Sequence, residues 1–101
     1  MGGELFLASI GGCFMSTLLA AIRAREAETS IRNVRVDVAG TLEQSPARFV
    51  AVELSVSAEG DDRALLDELV EVAGNGCIMV NTLRASLNLT IAVGTAIKAG
   101  A

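Results

Sequence analysis

The chain has 101 residues and a formal net charge of −4, so it is long enough for one domain and has no basic excess for binding a phosphate backbone. Hydrophobic residues make up 51% of it and charged residues 20%, which excludes a disordered chain. Histidine, tryptophan and tyrosine are absent, which excludes His-based catalytic triads and imidazole metal sites. Any catalysis must therefore depend on thiols, carboxylates and arginines.

The first predicted element is a long apolar helix from Glu4 to about Glu28. Residues 5 to 22 carry no charge, which is nearly the length of a membrane span. The stretch contains several small and polar residues, has no basic segment typical of a signal peptide, and is followed by amphipathic strands. We therefore expect a buried central helix in a cytoplasmic protein that has no membrane association.

The thiol of Cys13 lies in the middle of this helix, directly after Gly11 and Gly12. Each glycine costs about 1 kcal/mol relative to alanine in a helix interior. The pair therefore suggests a close backbone approach, or open space over the sulfur.

Two strands with a period of two residues come next. Apolar and polar side chains alternate over residues 31–43 and again over 50–57, which predicts two half-buried strands. The segment Gln44-Ser45-Pro46-Ala47 supplies the turn between them. Gly60-Asp61-Asp62 ends the hairpin, and an aspartate there serves as the N-cap of the following helix.

The remaining elements are a helix over 62–73, a short helix from Cys77 to about Arg84, and a strand over 86–93. Gly74-Asn75-Gly76 separates the two helices. The order α-β-β-α-α-β predicts an α+β architecture in which helices lie on a small antiparallel sheet. Three strands cover little of so apolar a first helix, so we expect a second copy of the chain to cover the rest in a homodimer.

The two cysteines are either buried core residues, which composition alone favours, or a reactive pair. Each follows a glycine, and two thiols are the minimum for a dithiol–disulfide cycle. Cys77 opens a predicted helix, where backbone N–H groups favour a thiolate, whereas Cys13 would need an arginine. Two thiolates lack the four-ligand spacing of a structural zinc site, so we expect no metal.

Three polar residues near the thiols have structural explanations as well as functional ones. Glu4, nine positions before Cys13, is well placed as a carboxylate at a helix N-terminus. Asn81 and Thr82 follow Cys77 within about a turn, where local backbone hydrogen bonds are their ordinary role.

The segments "GGELFLASIGGCFMSTL" and "AGNGCIMVNTL" resemble the two cysteine motifs of the osmotically induced protein C and organic hydroperoxide resistance (OsmC/Ohr) family. The first is similar to that family's Pro-Glu-Glu-Leu segment with its later cysteine, and the second to its Cys-Pro-x-Ser-Asn-Thr-Leu pattern. The family's catalytic arginine lies on a hairpin ahead of the helix, whereas no arginine precedes Cys13 here. We therefore expect residues 1–101 to form a single OsmC-like domain that is short at its N-terminus.

The resemblance implies an intertwined homodimer and a peroxidase that acts in oxidative stress defence. Cys13 would attack an organic hydroperoxide, Cys77 would resolve the sulfenic acid in a Cys13–Cys77 disulfide, and Glu4 matches the second acid of the family's pair. No bound cofactor is implied, because an external dithiol such as a lipoyl group would act as the reductant. An apolar substrate pocket is expected from Phe14, Met15, Ile78 and Met79. The alternative is a dimeric ligand-binding or structural domain without peroxidase activity.

Overall fold

A computed structural model describes residues 2–44, 46–60 and 62–94. Ser45 of the predicted turn, Asp61 and both ends of the predicted domain lie outside these ranges. The elements in chain order are α1 (Gly2–Ala24), β1 (Ile31–Gln44), β2 (Ala47–Gly60), α2 (Arg63–Gly76), α3 (Ile78–Arg84) and β3 (Asn88–Val93). The predicted order of helices and strands is therefore confirmed.

The long helix α1 runs without interruption through its two central glycines. Its buried residues, Ile10, Phe14, Leu18 and Ile22, recur every four positions and form one stripe along the helix. The prediction that it extends to Glu28 is wrong. Glu26 has a φ of 54°, in the left-handed region, and Ala27 turns inward to be buried, so the helix ends at Ala24.

By length and composition, α1 is also long and apolar enough to cross a membrane. Core helices of globular proteins have the same properties. In this structure the stripe of α1 packs into the core, while much of its remaining surface is exposed.

The sheet has the strand order β1-β2-β3 and is mixed. Strands β1 and β2 form a long antiparallel hairpin, whereas β3 pairs parallel to β2, with Ala51 opposite Asn88 and Val56 opposite Val93. The prediction of an antiparallel sheet is therefore wrong for β3. The connection from β2 to β3 contains both α2 and α3. A helical crossover of this length returns the chain to the end of the sheet at which β2 begins, so β3 runs parallel to β2.

The core forms where α1 and α2 meet the central strand β2. Val52, Leu54 and Val56 of β2 are almost completely buried, as their alternation predicts. The stripe of α1, the apolar face of α2 and Val80 of α3 belong to the same buried cluster. Helix α2 begins with Asp62 as its N-cap, because the Asp62 carboxylate accepts the N–H of Leu65 at 2.9 Å.

Candidate active site

The two cysteines lie against each other in the folded chain. Both are free thiols, and the Sγ of Cys77 donates a hydrogen bond to the Sγ of Cys13 at 3.4 Å. Cys13 projects from the middle of α1, and Cys77 lies at the junction of α2 and α3. Residues far apart in sequence thus form a dithiol that needs only a small movement to form a covalent bond, which is about 2.05 Å long.

Cys13 is the partly buried member of the pair. A Cβ added to the preceding Gly12 would meet no atom within 4 Å, so the helix surface at Gly12 is open in this chain. The hydroxyl of Thr17 donates to the Cys13 carbonyl at 3.0 Å, one turn along the helix. A Cβ on Gly76 would come within 3.7 Å of the Thr17 methyl group, so α1 and the end of α2 come close together at this level.

Cys77, in contrast, is completely buried. It is the single residue between α2 and α3, with φ −83° and ψ 117°, and it caps both helices. The side-chain amide of Asn81 spans this junction and donates to the Asn75 carbonyl at 2.8 Å. The position of the Cys77 sulfur is therefore fixed by the geometry of one short junction.

Burial raises the pKa of the Cys77 thiol above its ordinary value, and the neighbouring Cys13 sulfur raises this pKa further. Backbone N–H groups of Val80 and Met79 point toward the sulfur and act in the opposite direction, but they do not outweigh these effects. The prediction that the helix start favours a Cys77 thiolate is therefore wrong, since α3 has only seven residues and the sulfur has no solvent around it.

The structure does not bring Glu4 to the thiols. Glu4 is exposed on the first turn of α1, and nine residues of helix separate it from Cys13 by roughly 13 Å along the axis. It lines a different surface cleft, beside Leu7, Gly40 and Phe49.

The four residues predicted to line a substrate pocket differ in their exposure to solvent. Phe14 is completely buried in the core stripe of α1, so it does not line an accessible pocket, and that part of the prediction is wrong. Its position follows from the helical period, since it lies four residues from Ile10 and from Leu18. Met15 and Met79 are half-buried, and Ile78, next to Cys77, is 77% exposed.

No arginine is hydrogen-bonded or ion-paired to Cys13 within residues 2–44, 46–60 and 62–94. Four arginines instead pair with carboxylates on the surface: Arg25 with Glu68, Arg35 with Asp37, Arg48 with Glu43, and Arg63 with Asp67. Arg84 lines a cleft between α2 and β3, close to Gly74 and Ile91. A cation that activates Cys13 is therefore not supplied by the part of the chain that the structure describes.

One feature of the site is not singled out by the sequence. The hydroxyl of Thr17 donates to the Cys13 carbonyl, and its spacing of four residues from Cys13 is the signal that could have indicated it. The local backbone hydrogen bond expected of Asn81 is confirmed, and it reaches from α3 to the last turn of α2.

Comparisons with known proteins identify the family of the chain. A family model described as "OsmC-like protein" matches residues 2–92. An organic hydroperoxide resistance protein of Xanthomonas axonopodis pv. citri is 29% identical over 89 residues, which are 87% of this chain and 62% of the relative. The chain thus spans less than two thirds of the length of that relative.

Solved structures give the same fold. An organic hydroperoxide resistance protein OsmC from Legionella pneumophila superposes with a TM-score of 0.78 at 21% identity, covering 91% of this chain and 67% of that one. The organic hydroperoxide resistance protein OhrB of Bacillus subtilis gives a TM-score of 0.69 at 24% identity, with coverage of 89% and 67%. At these identities the likeness establishes the α+β architecture.

Proposed function

The chain belongs to the OsmC-like protein family, and from this premise we propose that it is a thiol-dependent peroxidase that reduces organic hydroperoxides. Relatives named for organic hydroperoxide resistance support a redox role related to peroxides. The observation that carries the proposal is the pair of free sulfurs 3.4 Å apart with unequal exposure.

Exposure assigns the two thiols different roles. A hydroperoxide should reach Cys13, which is only partly buried. It cannot reach Cys77, which is completely buried and whose raised pKa keeps it protonated at neutral pH. Cys13 is therefore the attacking thiol, and Cys77 is the resolving thiol.

The proposed reaction has two steps on the protein. The Cys13 thiolate attacks the hydroxyl oxygen of the hydroperoxide, the O–O bond breaks, and the leaving alkoxide takes up a proton to become an alcohol. The Cys13 sulfur retains the hydroxyl group as a sulfenic acid. Cys77, as its thiolate, then attacks this sulfur, which forms the Cys13–Cys77 disulfide and releases hydroxide that is protonated to water.

An external dithiol completes the cycle, because the disulfide needs two electrons and two protons to return to two thiols. Thiol–disulfide exchange with a lipoyl-type dithiol supplies both without a bound cofactor. The chain neighbours of the thiols are apolar, since Met15 follows Cys13 by two positions and Ile78 and Met79 follow Cys77 directly, and such side chains suit an organic hydroperoxide better than a small polar one.

Two substitutions test the assignment. Cys13→Ser should abolish the consumption of cumene hydroperoxide. Cys77→Ser, its matched control, should still react once, leaving a Cys13 sulfenic acid that dimedone traps. The measurement is peroxide loss with mass spectrometry of the labelled protein. Equal peroxide consumption by Cys13→Ser and the parent chain would contradict the proposal.

A second candidate function is a dimeric ligand-binding or structural domain without peroxidase activity. The observation that favours it is that, in the described ranges, Cys13 has no arginine partner. Free thiols that survive treatment with cumene hydroperoxide in the parent chain would support this alternative.

A further inference from the structure

The resolving thiol lies at the point where two helices meet. Cys77 is at once the C-cap residue of α2 and the N-cap residue of α3. Since no other residue separates the two helices, a small change in the angle between them moves the Cys77 sulfur relative to Cys13. The core holds α2 through the buried residues Leu66, Leu69, Val70, Ala73 and Gly74, so only the exposed last residues, Asn75 and Gly76, lie between this buried part and the junction.

Asn81 contacts both sides of this junction. Its backbone N–H donates to the Cys77 carbonyl at 3.0 Å, which forms the first turn of α3. Its side-chain Nδ2 donates to the Asn75 carbonyl at 2.8 Å, in the last turn of α2. The last carbonyls of a helix have no partner within it, so this amide satisfies one that α2 cannot satisfy itself.

We propose that Asn81 is a positioning residue for the resolving step, because its side chain fixes the α2–α3 junction so that the Cys77 sulfur stays beside the Cys13 sulfur. The proposal rests on the proposed function, since it concerns closure of the Cys13–Cys77 disulfide. An amide is required because the acceptor is a carbonyl oxygen. The carboxylate of an isosteric aspartate cannot donate to that oxygen and repels it.

The hydrogen bond from Asn81 to Asn75 is exposed to solvent. A positioning role can therefore be distinguished from a contribution to folding stability. Water can replace an exposed hydrogen bond, so its loss changes the free energy of unfolding little. The alignment of two reacting atoms is much more sensitive, since reaction rates fall steeply when such atoms are misplaced by about 1 Å. Loss of the amide therefore affects disulfide closure more than it affects folding.

The test compares Asn81→Asp with two matched controls. Asn75→Ala keeps the acceptor, because the carbonyl belongs to the backbone, and Thr82→Ala changes the exposed neighbour of Asn81. Each protein receives one equivalent of cumene hydroperoxide and is quenched at intervals with dimedone and an alkylating agent. Mass spectrometry then counts sulfenic acid and disulfide separately.

We expect Asn81→Asp to form the Cys13 sulfenic acid at the parent rate, but to close the disulfide about tenfold more slowly or worse. Both controls should form the disulfide at the parent rate. Asn81→Gln keeps the amide donor, so its rate of disulfide closure should lie between those of Asn81→Asp and the parent chain. Closure at the parent rate in Asn81→Asp would overturn the proposal. A slowing of both steps together with a lower Tm would overturn it too, because it would show a general structural role.

A second measurement keeps this test independent of peroxidase activity. The equilibrium between the two thiols and their disulfide is measured in mixtures of reduced and oxidised glutathione, which exchange with protein thiols directly. Asn81→Asp should lower the effective concentration of one thiol at the other by about tenfold, while the controls match the parent chain. An unchanged equilibrium would overturn the positioning role, whereas a parent chain inert to peroxide would count only against the proposed function.

Discussion

At the scale of single residues, the two thiols differ in surroundings more than the sequence indicates. The position of Cys77 at the start of a helix predicts a lowered pKa for its thiol. Burial raises this pKa instead, because residues distant in sequence remove the sulfur from water. Capping positions can be derived from local sequence, whereas burial depends on the whole fold. The pairing of Cys13 with Cys77 was likewise implied by the family resemblance and not by spacing.

The raised pKa of Cys77 makes disulfide closure dependent on pH. Only the thiolate attacks a sulfenic acid, and a raised pKa reduces the thiolate fraction at neutral pH. The closure rate should therefore rise about tenfold per pH unit through the neutral range and level off only above the ordinary thiol pKa of about 8.5. Single-turnover measurements from about pH 6 to about pH 10 check this. A plateau reached below the ordinary thiol pKa would contradict the assignment.

Phe14 is the residue whose loss should cost the most stability on α1. It is completely buried in the core cluster, so Phe14→Ala leaves a cavity and should lower the free energy of unfolding by about 3–5 kcal/mol. Denaturant unfolding measures this change. Val72→Ala, at a position of α2 that is 49% exposed, is the control and should cost distinctly less. Equal costs would show that Phe14 is not buried in the core as described.

At the scale of elements, the sequence predicts what depends on local periodicity. Alternation identifies β1 and β2, and the spacing of leucines identifies the buried face of α2. The direction of β3 is not predicted, because it depends on where the helical crossover delivers the chain. Of the two explanations expected for the double glycine, the close approach is confirmed at Gly11, which lies against Val38 of β1.

Gly11 is the point at which α1 comes close to β1. A Cβ there would lie 2.8 Å from the Val38 Cγ2, so an added methyl group must displace either Val38 or the helix. Gly11→Ala should therefore destabilise the chain although alanine is the better helix former, and Gly11→Val should do so by a larger amount.

The control for Gly11 is Gly3→Ala on the first turn of the same helix. A Cβ there makes only ordinary contact with the Phe49 ring at 3.4 Å. Thermal unfolding of the three variants should place Gly3→Ala at or above the parent Tm and both Gly11 variants below it. A Gly11→Ala variant more stable than the parent would show that α1 does not pack against β1 at this distance.

At the scale of the whole molecule, α1 is covered on one side only. Its buried stripe faces the sheet, while Leu5, Ala8, Gly12, Ser16 and Leu19 are exposed and fall on the opposite face by their spacing. Leu5 is 65% exposed, which is unusual for a leucine in a helix this apolar. A second copy packed on this face would bury it, and would also bring further side chains near Cys13.

We therefore predict a homodimer, with a mass by light scattering of about twice the 10.4 kDa of the chain at micromolar concentration. Leu19→Glu places a charge on the uncovered face and should shift the mass toward the monomer. Val72→Glu, on an exposed position of α2, should leave the dimer intact. A monomeric parent chain would contradict the prediction.

We expect Cys13 and Cys77 to act as one redox unit. This is tested by the intact mass of the parent chain, followed by peptide mapping, within seconds of adding one equivalent of cumene hydroperoxide. The mass should fall by two hydrogens, and mapping should give a single linked peptide pair that joins Cys13 to Cys77. Two unmodified thiols after this treatment, or an intermolecular disulfide in place of the internal one, would contradict it.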